Sequence, residues 1–301
     1  MSGRLYIIVK PFSMHLKKTN INCKIKQVEN RGYIMKLMEG KKGVIFGVSN
    51  THGIAYGIAK QLFEAGAEIA FTYAGEIMEK RVRPIAEGMN AKVIMSCDVT
   101  KEDEVKAVFD ELEKVYGKID FVVHSVAFAN REDLTGDFIN TSLDGWNTAM
   151  GISAYSLITL SRNAQPIMNE GGSIIALTYL GSEKVVANYN VMGVAKAALE
   201  ATARYLADSL GKYNIRVNCL SSGPVKTLAA SGIDGFGKML KAATYKAPLK
   251  RNVSLEDVGK TGVYLLSDLS SGVTGEVVHV DCGCHAIYAS KDEMEMMSIQ
   301  K

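Results

Sequence analysis

"GVIFGVSNTHGIAYGIAKQLFEAGAEIAFTY" (residues 43–73) contains, in order, the patterns of a strand, a tight turn, a helix and a second strand. The run 43–48 is short, apolar and rich in β-branched residues, as buried strands are. Apolar residues then recur at helical spacing over 54–66, and Gly66 ends the predicted helix. The second strand is predicted at 67–73. This unit predicts two parallel strands joined by a crossover helix.

The same alternation continues along the chain. Further strands are predicted at 92–99, 119–127, 171–181, 215–223 and 275–283. Further helices are predicted at 76–88, 102–117, 143–169, 187–213 and 254–268, with one short helix inside the loop-like stretch 224–250. We therefore predict an α/β fold: a doubly wound, Rossmann-like parallel sheet of about seven strands in a single domain. Such sheets bind ligands beyond the carboxyl ends of their strands, so function is expected where strands 1, 4, 5 and 6 end.

Charge and cysteine usage exclude several classes of protein. Residues 1–36 contain eight basic residues against Glu29 and so carry +7; because the chain totals +3, the remainder carries −4. A mildly acidic body argues against nucleic-acid binding. The five cysteines form no C-x-x-C pair and no zinc-like cluster, so no metal is expected. Five free thiols predict a reducing, cytoplasmic location. No apolar run is long enough to span a membrane.

The domain boundaries follow from the same patterns. Residues 1–37 are predicted to be a basic N-terminal extension that is disordered. Residues 38–290 are the predicted Rossmann-like domain, and 291–301 a C-terminal tail. Two alternatives stay open for the extension: a targeting segment, or upstream sequence before a true start at Met35 or Met38.

A glycine-containing turn follows the first strand. Gly47, Gly53 and Gly57 stand in "GVSNTHGIAYG", and a helix follows at once. Glycines permit a tight turn and let backbone N–H groups approach a pyrophosphate at the helix N-terminus. Because the spacing is not G-x-G-x-x-G, a plain strand-to-helix turn is the alternative. The position after the first strand of an α/β alternation favours dinucleotide binding.

The choice between NAD and NADP depends on the end of strand 2. It ends "TYAGE", where neither an acidic residue nor a 2′-phosphate-binding Arg or Lys stands at the tip. Glu76 follows slightly later, while Lys80 and Arg81 lie a turn further on. These positions favour NAD. Asp98, after strand 3, is a candidate acceptor for the adenine amino group; a turn or capping role before the next helix is its alternative.

Tyr189 and Lys196, in "YNVMGVAK", are seven residues apart at the start of the predicted helix 187–213. The spacing alone carries little weight, because chance would produce roughly 1.5 such pairs in this chain. Seven helical residues turn through ~700° and rise ~10 Å, which predicts two side chains on one face at different depths. A lysine could then bind a cofactor ribose while the tyrosine reaches a substrate oxygen. Tyr179, at the end of strand 5, should face the same crevice, or be an ordinary buried aromatic.

With these residues in view, the chain resembles the divergent short-chain dehydrogenase/reductases, and most closely the NADH-dependent enoyl-acyl-carrier-protein reductases of bacterial type II fatty acid synthesis. The resemblance covers about residues 38–290. It rests on "GVSNTHGIAYGIA", "FTY", "CDV", "HSVAFAN", "LTYLG", "NYNVMGVAKAALE", "VNCLSSGPVKTLAASGI" and "LSDLSSGVTGEVVHVDCG". The seven-residue spacing from Tyr189 to Lys196, with Tyr179 in addition, is the signature of this branch.

The resemblance implies roles for particular residues. Tyr189 would donate a hydrogen bond to the thioester carbonyl oxygen, Lys196 would hold the nicotinamide ribose, and Tyr179 would line the acyl pocket. The implied cofactor contacts are Gly47, Ser49, Gly53, Ile54, Asp98, Val99, Ser125, Val126, Ala127, Lys196, Val225 and Thr227. The implied substrate contacts are Ala129, Tyr179, Tyr189, Met192 and Leu228. The resemblance also implies NADH as cofactor, acyl carrier protein bearing an enoyl thioester as partner, and a homotetramer.

Two other functions are compatible with the fold. A carbonyl-reducing short-chain dehydrogenase would need a lysine four residues after its tyrosine, but Gly193 stands there. A non-catalytic dinucleotide-binding module would not need Tyr179, Tyr189 and Lys196 together. Both alternatives are therefore weaker than reduction of an enoyl thioester.

Overall fold

The computed structural model describes residues 36–225, 236–291 and 294, which belong to one compact unit. They form a seven-stranded parallel sheet with the strand order 3-2-1-4-5-6-7. The strands are β1 (Lys42–Phe46), β2 (Glu68–Tyr73), β3 (Ile94–Ser96), β4 (Ile119–His124), β5 (Met168–Thr178), β6 (Arg216–Ser222) and β7 (Val277–Val280). The doubly wound Rossmann-like sheet predicted from the sequence is confirmed. The strand order reverses between β1 and β4, which is where such folds bind ligands.

Helices cover both faces of the sheet. Within the described residues they are α1 (Ile54–Glu64), α2 (Glu76–Gly88), α3 (Glu102–Tyr116), α4 (Leu143–Met150), α5 (Ser156–Ala164), α6 (Asn190–Gly211), α7 (Phe236–Lys246) and α8 (Leu255–Leu266). None of these described helices is both long and apolar enough to cross a membrane.

The sheet separates two hydrophobic cores, because successive side chains of a strand point to opposite faces. On one side, Val44 and Val122 pack against residues of α3, α5 and α6, including Leu112, Leu157 and Leu199. On the other side, Ile45, Phe71 and Phe121 pack against α1, α2 and α8 through Ile58, Leu62, Val82 and Val258. Residues buried on both faces explain why the strands have continuous apolar runs instead of alternating ones.

The predicted helix 143–169 is the largest difference from the sequence analysis. The structure divides it into α4, a π-helical turn over Gly151–Tyr155, and α5. A short 3₁₀ turn, Gln165–Ile167, then contains Pro166, and β5 already begins at Met168 instead of 171. Proline has no N–H to continue a helix, so the chain leaves α5 before this residue. The predicted third strand is also too long, since only Ile94–Ser96 pair with β2.

Candidate active site

The two tyrosines selected from the sequence lie together at the carboxyl end of β5. Tyr179 directly follows the last strand residue, Thr178, and its ring meets that of Tyr189 edge to face, with 5.1 Å between the centroids and 74° between the planes. Gly181 lies between them: a Cβ there would be 2.5 Å from Cδ1 of Tyr189 and 3.4 Å from Cδ1 of Tyr179. The pair is therefore packed closely against backbone.

Tyr189 does not belong to the helix, contrary to the prediction. It occupies the N-cap position, and α6 begins at Asn190. Asn188 and Asn190 both have positive φ, 59° and 33°, so the chain turns sharply around the tyrosine. The prediction that two helical turns set the direction of the Tyr189 side chain relative to Lys196 is therefore wrong. What places its ring beside Tyr179 is this turn, which asparagine tolerates better than most residues.

Lys196 lies in the second turn of α6 and is only 5% exposed. Its Nζ donates a hydrogen bond to the carbonyl oxygen of Leu177, at 2.6 Å, next to the end of β5. Burial lowers the pKa of Lys196 to about 8, against the opposing effects of Cys219 and Glu200. At neutral pH the side chain is therefore mostly an ammonium group held beneath the strand end.

Both phenols are protonated at neutral pH. Burial raises the pKa of Tyr189 well above its usual range, and Tyr179 and Glu200 raise it further. The pKa of Tyr179 is raised by burial and by Cys284 and Asp281, which follow β7. A half-buried neutral phenol is a hydrogen-bond donor suited to an oxygen that gains negative charge.

The glycine turn after β1 touches the loop after β4. Gly47 has a φ of +97°, and a Cβ at this position would overlap the carbonyl oxygen of Ser125. Asn50 stiffens the turn, because its side chain donates to Ser49 Oγ at 3.3 Å and accepts from the amide of His52 at 2.7 Å. No side chain caps α1, which begins after Gly53. Among the residues that the structure describes, the first-turn amides of α1 therefore have no side-chain acceptor, an arrangement that fits a pyrophosphate.

The other candidate cofactor residues lie at the same edge of the sheet. Ser125, Val126 and Ala127 directly follow β4, and the amide of Ser125 donates to Phe46 at 3.0 Å. Ile54 is the first residue of α1, and Val225 lies three residues past β6. Candidates falling outside the described residues are Thr227 and Leu228. The cofactor roles themselves stay predictions.

Asp98 and Val99 come shortly after β3. Oδ1 of Asp98 accepts hydrogen bonds from the amide and the hydroxyl of Thr100, at 3.0 and 2.7 Å. These bonds lower the pKa of Asp98. The aspartate thus forms the turn that was its alternative role, and its contact with adenine stays a prediction.

A small apolar cluster brings together three of the candidate substrate residues. The three are Ala129, Tyr189 and Met192. The other members of the cluster are Leu134, Trp146, Ala149, Met150, Val191 and Ala195. Trp146 was not selected from the sequence. Its being the only tryptophan was the one available signal.

A buried polar pair that no sequence motif indicated lies close to Lys196. His124, the last residue of β4, has its Nε2 2.7 Å from Ser156 Oγ. That hydroxyl donates to Ile152 at 2.6 Å, so Nε2 carries the proton and donates to the serine. Burial and the charge of Lys196 lower the pKa of His124 to about 3, which keeps it neutral. Among the residues the structure describes, no group of His, Cys, Asp and Glu is placed to hold a metal ion.

Comparisons with known proteins agree with this arrangement. Residues 47–285 match the family described as enoyl-(acyl carrier protein) reductase. The chain is 57% identical over 251 residues to enoyl-[acyl-carrier-protein] reductase [NADH] 1 of Rhizobium meliloti, covering 83% of this chain and 92% of the relative. The corresponding enzyme of Bacillus cereus is 49% identical, over 84% of this chain and all of the relative.

Solved structures give the same result. The Anaplasma phagocytophilum enoyl-(acyl-carrier-protein) reductase in complex with NAD superposes with a TM-score of 0.82, at 51% identity, over 85% of this chain and 97% of that one. The NADH enzyme of Aquifex aeolicus superposes equally well, at 0.82 and 48% identity, over 84% and 99% of the two chains. Because identity this high spans nearly the whole length of the relatives, the chain belongs to the enoyl-acyl-carrier-protein reductase family.

Proposed function

We propose that the protein reduces the trans-2 double bond of enoyl-acyl-carrier-protein thioesters with NADH, the last step of the fatty acid elongation cycle. The observation that carries this proposal is the meeting of three groups at one strand end. Two neutral phenols, Tyr179 and Tyr189, lie edge to face where β5 ends, and the buried ammonium of Lys196 donates to Leu177 in the same strand end. The uncapped start of α1 lies at the same edge of the sheet.

The residues that would hold the cofactor fit a dinucleotide. The Gly47 turn and the first-turn amides of α1 would bind the pyrophosphate, and Lys196 the ribose hydroxyls of the nicotinamide half. Both hydrogen bonds from Thr100 reach Oδ1 of Asp98, so Oδ2 would accept from the adenine amino group. When bound, NADH supplies the hydride that reduces the β-carbon of the substrate.

The chain's own residues stabilise charge and exclude water. As the double bond is reduced, negative charge builds on the thioester oxygen, and the phenol of Tyr189 donates a hydrogen bond to it. Tyr179 and the apolar cluster around Met192 and Trp146 line the acyl side and keep water from the enolate. A proton then reaches the α-carbon, so the substrate gains one hydride and one proton.

The proposal is tested by NADH absorbance during incubation with a crotonyl thioester, against a ketone panel. Consumption with the thioester supports it, whereas turnover of ketones alone, or NADH binding with no turnover, contradicts it. Tyr189→Phe should lower kcat by about 10²-fold, typical of an oxyanion donor, and change NADH affinity little. Lys196→Ala should weaken NADH binding. Tyr205→Phe, at an 80% exposed tyrosine of α6, is the matched control.

The partner, assembly and location follow from the same proposal. Acyl carrier protein presents the thioester, the enzyme works in the cytoplasm, and four copies assemble. Sedimentation of the purified chain tests the assembly, and turnover of carrier-bound against coenzyme-A-bound crotonyl groups tests the partner.

A further inference from the structure

A carboxylate is buried one helical turn beyond Lys196. Glu200 is 6% exposed, and no motif in the sequence gives it a role. Glutamate is almost never buried to this extent unless it has a partner. Four residues separate it from Lys196 on α6, so both side chains leave the same face of the helix.

The two side chains hold adjacent residues at the end of β5. Nζ of Lys196 donates to the carbonyl oxygen of Leu177 at 2.6 Å, and Oγ1 of Thr178 donates to Oε1 of Glu200, also at 2.6 Å. In the described part of the chain, Lys196 and Glu200 form no direct ion pair. Instead each binds the strand segment that leads directly into Tyr179. The last two residues of β5 are thus fixed to α6 by one positive and one negative group.

Several other titratable groups face this pair. His124 on β4 and Cys219 on β6 interact electrostatically with Lys196. Glu200 acts on Tyr189 and Cys219, and Arg204, a turn further along α6, acts on Cys219 as well. His124 is neutral and burial raises the pKa of Cys219 to about 12, so both lack charge at neutral pH. Glu200 is therefore the buried negative group that opposes the burial cost of the lysine.

We infer that Glu200 is a positioning residue for the reduction: its carboxylate is the internal counter-charge that keeps Lys196 an ammonium group and holds the strand end beneath Tyr179. This inference rests on the proposed function. Lys196 is already poised, because burial brings its pKa down to about 8 although Glu200 raises it. Without the carboxylate, burial would be opposed less strongly and the lysine would lose its proton at a lower pH.

The test compares NADH affinity across pH for the wild type, Glu200→Gln and Glu200→Asp. Fluorescence titration gives the dissociation constant without any turnover. In the wild type, NADH binding should weaken as pH rises through about 8. Glu200→Gln keeps the shape and an acceptor for Thr178 but removes the charge. Its loss of affinity should therefore begin about one pH unit lower, at the low end of the roughly one to three pH units by which a nearby opposite charge shifts a pKa.

Glu200→Asp and Asp208→Asn distinguish charge from structure. Glu200→Asp keeps the charge, so the pH at which NADH affinity falls should stay within about half a unit of the wild-type value. A shift as large as that of the glutamine variant would overturn the inference. Asp208→Asn removes an exposed charge from the same helix and should shift nothing. A merely structural role would lower affinity equally at every pH. If Glu200→Gln fails to fold, Glu200→Asp decides: loss of affinity at the wild-type pH supports the inference, and loss that begins about one pH unit lower overturns it.

The same samples separate this inference from the proposed function. With a crotonyl thioester, kcat/KM of Glu200→Gln should begin its alkaline decline about one pH unit lower than that of the wild type. At neutral pH its kcat/KM should stay within about threefold of the wild-type value. Wild-type protein that binds NADH but consumes none would overturn the proposed function. If the wild type consumes NADH, and kcat/KM declines at the same alkaline pH in the wild type and in Glu200→Gln, only the role of Glu200 is overturned.

Discussion

Helices α1 and α8 pack against each other but begin in opposite ways. They approach so closely that a Cβ on Gly259 would overlap the carbonyl oxygen of Gly57. At the start of α8, Ser254 Oγ accepts from the amide of Asp257 at 3.1 Å, and the Asp257 carboxylate accepts from the amide of Ser254 at 2.9 Å. At the start of α1, no side chain caps the helix after Gly53.

The difference shows which helix end is built for a ligand. Unpaired amides at a helix N-terminus are costly unless water, a side chain or a ligand accepts from them. In α8 the chain satisfies its own amides, so that end serves stability alone. At the start of α1, the first-turn amides are not capped by a side chain, and they lie beside a glycine turn at the ligand-binding edge of the sheet. Both states are visible in the sequence, as a capping box at 254–257 and as a cap-free glycine turn at 47–53.

The strongest way to break this comparison is Gly47→Ala. The new Cβ would overlap backbone at Ser125, which cannot rotate away, and φ is +97°. We expect the free energy of unfolding to fall by about 3 kcal/mol, and NADH binding to be lost with the turn geometry. Urea unfolding and fluorescence titration measure the two. Gly40→Ala is the control: its φ is +78° but nothing lies within 4 Å of its Cβ, so it should cost about 1 kcal/mol. Equal losses in both variants would refute the close-contact explanation.

Gly53→Asp should convert the start of α1 into one like that of α8. Gly53 has φ −82° and ψ 151°, and its Cβ would meet its neighbours at 3.4 Å or more, so a side chain fits. A self-capping aspartate should stabilise the free protein by a few tenths of a kcal/mol. It should also weaken NADH binding by about tenfold or more, because a carboxylate would occupy the pyrophosphate position. Gly53→Asn caps without the charge and should weaken binding less. Unchanged affinity in both would mean that these amides do not bind the cofactor.

Ser254→Ala is the reciprocal change at α8. Loss of the cap should lower the free energy of unfolding by about 1 kcal/mol and leave the NADH dissociation constant unaltered. Thermal unfolding of the free protein, with titration of NADH at a temperature well below the transition, checks both parts. A weakened affinity would show that the α8 end also contributes to the cofactor site.

The sequence predicted what is encoded locally. Buried strands, amphipathic helices and the capping box at Ser254 all follow from neighbouring residues, and the doubly wound order follows from their alternation. The extent of the helix before β5 was overestimated, although Pro166 marked its end. The prediction that Tyr189 lies within α6 was wrong, because positive φ at Asn188 and Asn190 leaves no trace in hydrophobic periodicity.

Side chains that act across elements were the least predictable part of the site. Glu200 and His124 are polar residues whose burial depends on partners from other strands and helices, namely Thr178 and Ser156. Periodicity treats such residues as exposed by default. By contrast, Tyr179, Tyr189 and Lys196 could be selected beforehand, because the ends of parallel strands converge and the motif is specific.

The smallest expected effect is the acid sensitivity of the α8 cap. Arg251 donates to both carboxylate oxygens of Asp257, at 2.5 and 3.0 Å, and lowers the pKa of this group well below its usual value, with a smaller contribution from Ser254. The unfolded chain therefore binds a proton here more readily than the folded one. The stabilisation is present above about pH 4 and is lost as pH falls below it. Because the pair is partly exposed, the loss should be under ~1 kcal/mol.

Asp257→Asn should remove that dependence. Between about pH 5 and pH 2 the free energy of unfolding should fall less steeply in Asp257→Asn than in the wild type, while Asp208→Asn follows the wild type. Measurements in added salt should narrow the difference, because screening weakens an exposed ion pair. Parallel curves for the wild type and Asp257→Asn would mean that the capping box holds by hydrogen bonding alone. In every case the acid response should leave the α1 end untouched, since no carboxylate caps that helix.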